Sequence, residues 1–126
     1  MTVLLDTRTF LWWVSDSPKL SRRARKAIAE SRCLLSVASC WEIAIKASLG
    51  RLETPRPLER FLQQQLEMNA FELLPVALEH AAAVRDMPFH HRDPFDRLVA
   101  AQARHEEMPL VTVDTVFAKY GVKRIW

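Results

Sequence analysis

The chain has 126 residues, 49% of them hydrophobic, which is enough for one core and leaves no room for a second domain. Lys and Arg number 18 against 15 Asp and Glu, and the formal charge of +3 permits a nucleic-acid partner without requiring one. No apolar run approaches the ~18 residues needed to cross a bilayer, so no membrane association is expected.

The first apolar run, Thr2–Leu5, reads as a strand and is followed by a short helix over 7–14. Asp6 and Arg8 break its hydrophobicity, and it lacks both a basic start and a small-residue cleavage site, so no signal peptide is expected. After a Ser–Pro turn at 15–18, Ser21 caps a basic helix that runs to about Ser31. A buried strand (32–36) leads into a helix (37–49), with Gly50 as its C′ residue. Cys33 and Cys40 are too few for a disulfide framework and do not form Cys-x-x-Cys; they are expected reduced and buried, in a cytoplasmic protein.

Pro55–Pro57 opens a further helix that carries Leu58, Phe61, Leu62 and Leu66 on one face. A strand (72–76) leads to a helix (78–86), and Asp93 starts the next helix, which runs to about Glu106. A strand (109–112), a short helix after Asp114 and a terminal strand (122–125) complete the chain. Alternating strands and helices predict a single α/β domain with a parallel sheet covered on both faces. With Gly50 and Gly121 the only glycines, there is neither a P-loop nor a GxGxxG cradle for phosphates.

Four acids, Asp6, Glu42, Asp96 and Asp114, lie far apart in sequence, each near a point where a strand gives way to a helix or a helix opens. In an open α/β sheet these positions gather at one edge. Carboxylates brought together there repel one another unless a cation neutralises them, which suggests a hard divalent metal. Each acid also has a structural reading. Asp6 is a possible helix cap, although Thr7 serves equally well. Glu42 completes a Ser39-x-x-Glu42 capping box or pairs with Lys46 at i,i+4; with Ser36 as the cap, it lies inside the helix with Trp41 and Ile45 in the core. Asp93 is the natural N-cap before Pro94, which places Asp96 in the first turn. Asp114 is a cap for the segment that follows it.

The blocks LLDTRTFLWW (4–13), LSVASCWEIAIKASLGRL (35–52), HHRDPFDRLVAAQA (90–103) and PLVTVDTVFAKYGV (109–122) closely resemble the PIN-domain nucleases, specifically VapC-type toxins of type II toxin–antitoxin pairs. They run in the family order and cover most of the chain; residues 53–75 match least. The resemblance implies a PIN-like three-layer α/β/α sandwich and a Mg²⁺- or Mn²⁺-dependent endoribonuclease that cleaves RNA with a metal-activated water. It carries the acidic set onto Asp6, Glu42, Asp96 and Asp114, with Asp93 as an adjacent acid. It implies Asp6 and Asp96 as direct ligands, with Glu42 and Asp114 binding a second metal or orienting water. It also implies a cognate VapB-type antitoxin and a homodimer.

Thr7 and Thr112 are auxiliary candidates beside the acids, and Arg97 is a candidate phosphate contact or a surface helix residue. His90 and His91 suggest a loop or RNA-facing role more than metal ligation, while His80 and His105 are expected on solvated helix faces. Arg22, Arg23, Arg25 and Lys26 form the strongest basic run, read as a solvated face or a track for an RNA backbone. One of Trp12 and Trp13 is expected in the core, the other at an interface or on a base. The stripe Leu58–Phe61–Leu62–Leu66 is a core face or part of an antitoxin groove. Two further functions compete: a catalytically silent module of the same fold that binds RNA or protein, and a phosphoryl-acceptor receiver domain. The receiver reading requires a paired acid after the first strand, where Asp6 stands alone.

Overall fold

The computed structural model describes residues 1–126. Five strands, β1 (Thr2–Leu5), β2 (Arg32–Ser36), β3 (Glu72–Leu74), β4 (Leu110–Val111) and β5 (Arg124–Ile125), form one all-parallel sheet in the order β3-β2-β1-β4-β5. Helices α1 (Thr7–Val14), α2 (Arg22–Glu30), α3 (Val37–Ser48), α4 (Leu58–Asn69), α5 (Leu78–Ala83) and α6 (Pro94–His105) cover both faces. The strand read at 72–76 ends at Leu74, the one at 109–112 shrinks to Leu110–Val111, and the helix read at 78–86 finishes as a 3-10 turn over Val84–Asp86. The segment after Asp114 is a 3-10 helix, Thr115–Tyr120.

Strand alternation divides the core in two. Val3 and Leu5 of β1 join Cys33, Leu35 and Val111 on one side, where Phe10, Ala24, Ile28, Ile43, Leu62 and Leu66 from α1–α4 cover them. Leu4, Leu34 and Leu110 face the opposite side and meet Val99, Ala100 and Ala103 of α6, with Phe117 and Tyr120. Both faces of the central strands are therefore apolar, as a parallel sheet between two helical layers requires. The connections β1→β2 and β2→β3 run over the first face, while the long connection β3→β4 runs over the second. The chain thus reverses direction between β1 and β4, and the carboxyl ends of these strands flank the topological switch point.

The Leu58–Phe61–Leu62–Leu66 stripe is core: Leu62 and Leu66 are buried in the first cluster, with Leu58 and Phe61 packed against it. Both Trp12 and Trp13 are half-buried. Trp12 packs on Trp126 at 5.8 Å between ring centroids, and Trp13 donates its indole N–H to Asn69 Oδ1 at 2.9 Å. Trp41 does not enter the core; it is 60% exposed and rests edge-on against Phe95. Gly50, at φ 71°, closes α3 in the left-handed conformation.

Candidate active site

Asp6 occupies the N-cap position of α1, yet its side chain caps nothing. Instead its Oδ2 accepts a 2.7 Å hydrogen bond from the Thr112 hydroxyl, beyond the neighbouring strand β4. The Thr112 oxygen in turn accepts the backbone N–H of Asp114 at 3.1 Å. One threonine therefore links the two acids across the switch point. Asp114 Oδ1 caps Val116, as the structural reading expected, while its Oδ2 lies 2.8 Å from His91 Nε2. A carboxylate can do both, because its two oxygens offer about four acceptor sites.

Glu42 enters from α3. Ser36, not Ser39, caps this helix by accepting Ala38 N–H, so the Ser39–Glu42 capping box does not form. Ser39 is fully buried, 2.8 Å from the Thr7 oxygen, and the Thr7 hydroxyl donates to Glu42 Oε1 at 2.7 Å. Lys46 donates to Glu42 Oε2 at 2.5 Å, the i,i+4 pair read from the sequence. Asp96, like Glu42, lies within a helix and not at a strand end: it sits in the first turn of α6, which returns toward the switch point after the β3 crossover. Asp93 caps this helix by accepting the N–H groups of Phe95 and Asp96 at 2.8 and 3.0 Å.

Burial is the largest influence on the Asp96 carboxyl, followed by the charges of Asp93 and Asp6; with Glu42 they push its pKa up to about 7, against a partial offset from His91. Burial also raises the Asp6 carboxyl, outweighing the Thr112 hydrogen bond and the charge of Arg8. For Asp114 burial acts upward, but the His91 hydrogen bond, the Val116 N–H and the charges of His91 and Arg8 bring the carboxyl below its ordinary value. The Asp96 shift combines burial, its largest cause, with repulsion from Asp93, Asp6 and Glu42. Ligand atoms of His91, Asp96 and Asp114 lie within 4.8 Å of one another, and the charges of Asp6 and Glu42 also bear on Asp96. Oxygen donors suit Mg²⁺ or Mn²⁺, and the added imidazole is compatible with Mn²⁺, so the donor set fits a divalent cation.

Three residues take places the sequence reading did not give them. Arg97 is buried and donates to the carbonyls of Pro88, Val84 and Met87 at 3.0–3.2 Å, with its guanidinium over the Phe89 ring. It organises the 84–91 loop and is neither a surface residue nor free for phosphate, because five N–H donors in a fixed fork satisfy several carbonyls at once. His91 is buried, its ring stacked on Tyr120, its backbone N–H donating to the Tyr120 hydroxyl and its Nε2 on Asp114. His80 is also buried, at 3% exposure, and not solvated. Arg8 was overlooked: it is exposed on α1, and its charge reaches both Asp6 and Asp114. The signal available was its position two residues after Asp6, close to the helix start.

A five-stranded parallel sandwich with acids converging at this edge defines the class. The chain belongs to the PIN-domain family, whose sequence profile matches residues 3–123. At the level of individual proteins it is similar to Ribonuclease VapC22 of Mycobacterium tuberculosis (strain ATCC 25618 / H37Rv), 34% identical over 116 residues, covering 90% of this chain and 87% of the relative. Among solved structures, the fold is similar to a chain of VapBC2 from Rickettsia felis bound to a DNA fragment from its promoter: TM-score 0.69, 14% identity, 98% of this chain and 97% of the other. It is also similar to a chain of FitAcB from Neisseria gonorrhoeae, with a TM-score of 0.65, 22% identity, and coverage of 98% and 96%.

Proposed function

We propose that this chain is a VapC-type toxin acting as a divalent-cation-dependent endoribonuclease. The observation that carries the reading is the convergence of Asp6, Glu42, Asp96 and Asp114 on the β1/β4 switch point, with Asp96 pushed to about pKa 7 by its acidic neighbours and burial. That the 34% identical relative is a ribonuclease supports the activity, and a structural neighbour that is a toxin–antitoxin complex from Klebsiella pneumoniae supports an antitoxin partner.

Asp6, Glu42, Asp96 and Asp114 would hold Mg²⁺ or Mn²⁺, which when bound supplies positive charge to the phosphate and lowers the pKa of water. Thr112 fixes Asp6 and Asp114 relative to each other, while Thr7, braced by Ser39, orients Glu42. His91 directs the second oxygen of Asp114, and Asp93 holds the first turn of α6 so that Asp96 faces the same edge. Arg8, exposed on α1 with its charge reaching Asp6 and Asp114, is suited to an RNA phosphate. The homodimer reading is supported by exposed apolar side chains on α3 and its C-cap, Val37, Trp41 and Leu49.

A catalytically silent module of the same fold is disfavoured by electrostatics: a protein that only binds has no use for carboxylates that raise one another's pKa. The experiment is incubation of a labelled RNA panel with the purified chain in Mg²⁺, Mn²⁺ or EDTA. Cleavage in either cation and none in EDTA is expected; RNA binding without cleavage in any condition would favour the silent module.

A further inference from the structure

At the opposite end of α6, ten residues and therefore roughly 15 Å along the helix from Asp96, a second cluster brings together His80, His105 and Glu106. Their ligand atoms lie within 4.8 Å of one another. None of the three takes part in the carboxylate site. His80 projects from α5 and is almost fully buried, while His105 and Glu106 stand at the C-terminal end of α6 with partial access to solvent.

The tautomer of His80 is set by its neighbours. The backbone N–H of Ala77 points at His80 Nδ1 at 3.0 Å, and the Gln102 amide nitrogen, anchored on the Pro75 carbonyl at 3.2 Å, approaches the same atom at 3.4 Å. Two donors on Nδ1 make it an acceptor, so the other ring nitrogen, Nε2, carries either a proton or a metal. Nε2 faces Glu106 Oε2 at 3.3 Å, His105 Nε2 lies 3.7 Å from the same oxygen, and Glu79 Oε1 lies 4.0 Å from His105 Nε2.

A simple ion pair accounts poorly for these lengths. A charge-assisted N–H···O bond settles at about 2.7–2.9 Å. Ligands held about 2.0–2.1 Å from a tetrahedral ion are instead separated by about 3.3–3.4 Å. The His80–Glu106 separation matches that edge, and the accessible side chains of His105 and Glu79 continue the chain of contacts at 3.7 and 4.0 Å. The end of α6 also presents the negative pole of the helix, which favours a cation.

We propose that His80, His105 and Glu106 form a second cation site for a borderline transition ion such as Zn²⁺, with Glu79 available as fourth ligand. Two imidazoles and a carboxylate suit Zn²⁺ and exclude Mg²⁺, which keeps to oxygen. Four protein ligands would close the coordination sphere, so the role is structural: the ion ties α5 to the end of α6 and takes no part in cleavage.

The test uses Co²⁺ as a coloured substitute for Zn²⁺ in the full-length chain carrying Asp96→Asn and Asp114→Asn, which disables the carboxylate site. We expect one Co²⁺ per chain with intense visible bands of four-coordinate geometry, displaced by Zn²⁺, and a higher thermal midpoint in Zn²⁺. His105→Asn and Glu106→Gln, both at accessible positions, should each weaken binding by at least about tenfold with unchanged circular dichroism. In the otherwise native chain, His105→Asn should leave Mg²⁺-supported RNA cleavage as it was. Absence of saturable Co²⁺ binding, or equal binding by both variants and their parent, would overturn the site.

Discussion

Asp96 retains its proton to about pH 7 because burial and the charges of Asp93 and Asp6 oppose its ionisation. An unfolded aspartate titrates near 3.9, so the folded state binds this proton more tightly. The resulting stabilisation is complete below about pH 4 and is lost as pH rises through about 7. In EDTA, Asp96→Asn should therefore stabilise the chain at pH 8 by on the order of 1–2 kcal/mol, a value reduced for partial solvent exposure, and by much less at pH 5. Thermal melts of both proteins at the two pH values measure this difference; equal melting at pH 8 would contradict the electrostatic account. His91 offers a second test. His91→Phe keeps an aromatic ring against Tyr120 but removes the 2.8 Å contact with Asp114, whereas His91→Gln keeps a donor. Titration with Mn²⁺ followed by electron paramagnetic resonance should show the Phe variant about 10- to 100-fold weaker and the Gln variant closer to native. The shared placement of the acids was legible in the sequence, with Glu42 and Asp114 resting most on the family resemblance, but the contacts of His91, Ser39 and Arg97 were not. Their partners lie 23, 32 and 6–13 residues away, and such pairings are set by packing that local patterns do not encode.

Among the elements, α3 inverts the usual amphipathic rule. Its buried face carries Ser39 and Glu42 beside Ala38 and Ile43, while Trp41 and Leu49 stand in solvent at 60% exposure each. Helical periodicity did not locate the faces of α3: it placed Trp41 with Ile45 in the core. The buried residues are instead Ala38, Ser39, Glu42 and Ile43, because a polar site buried beside the core competes with hydrophobicity for the inward face. The exposed face supports self-association. Trp41→Glu should shift the chain toward monomer in sedimentation velocity with little change in thermal midpoint, since an exposed side chain contributes little to the core. An unchanged sedimentation profile would remove α3 from the interface. The short strand β4 was read longer than it is, since it has two residues, and the short helix after Asp114 is the 3-10 helix Thr115–Tyr120.

For the molecule as a whole, the alternation of strands and helices predicted the parallel three-layer sandwich, and the observed strand order places β1 and β4 side by side at the reversal. The edge shared by the acids follows from that topology for Asp6 and Asp114, just past β1 and β4, and for Glu42, in the second turn of the helix after β2. Asp96 comes to the same place along a different route, on a helix packed against the opposite face of the sheet from α1–α4. Bringing both helical layers to one edge is what assembles the carboxylate cage, and neither layer holds it alone. The most direct test of this account is the single-turnover rate on one RNA that the chain cuts in Mn²⁺, comparing native protein with Asp6→Asn and Asp96→Asn. The account predicts that each substitution lowers the rate by at least about 100-fold while RNA affinity changes only a few-fold. Full activity in both variants, or equal cutting by the native chain in EDTA, would contradict it.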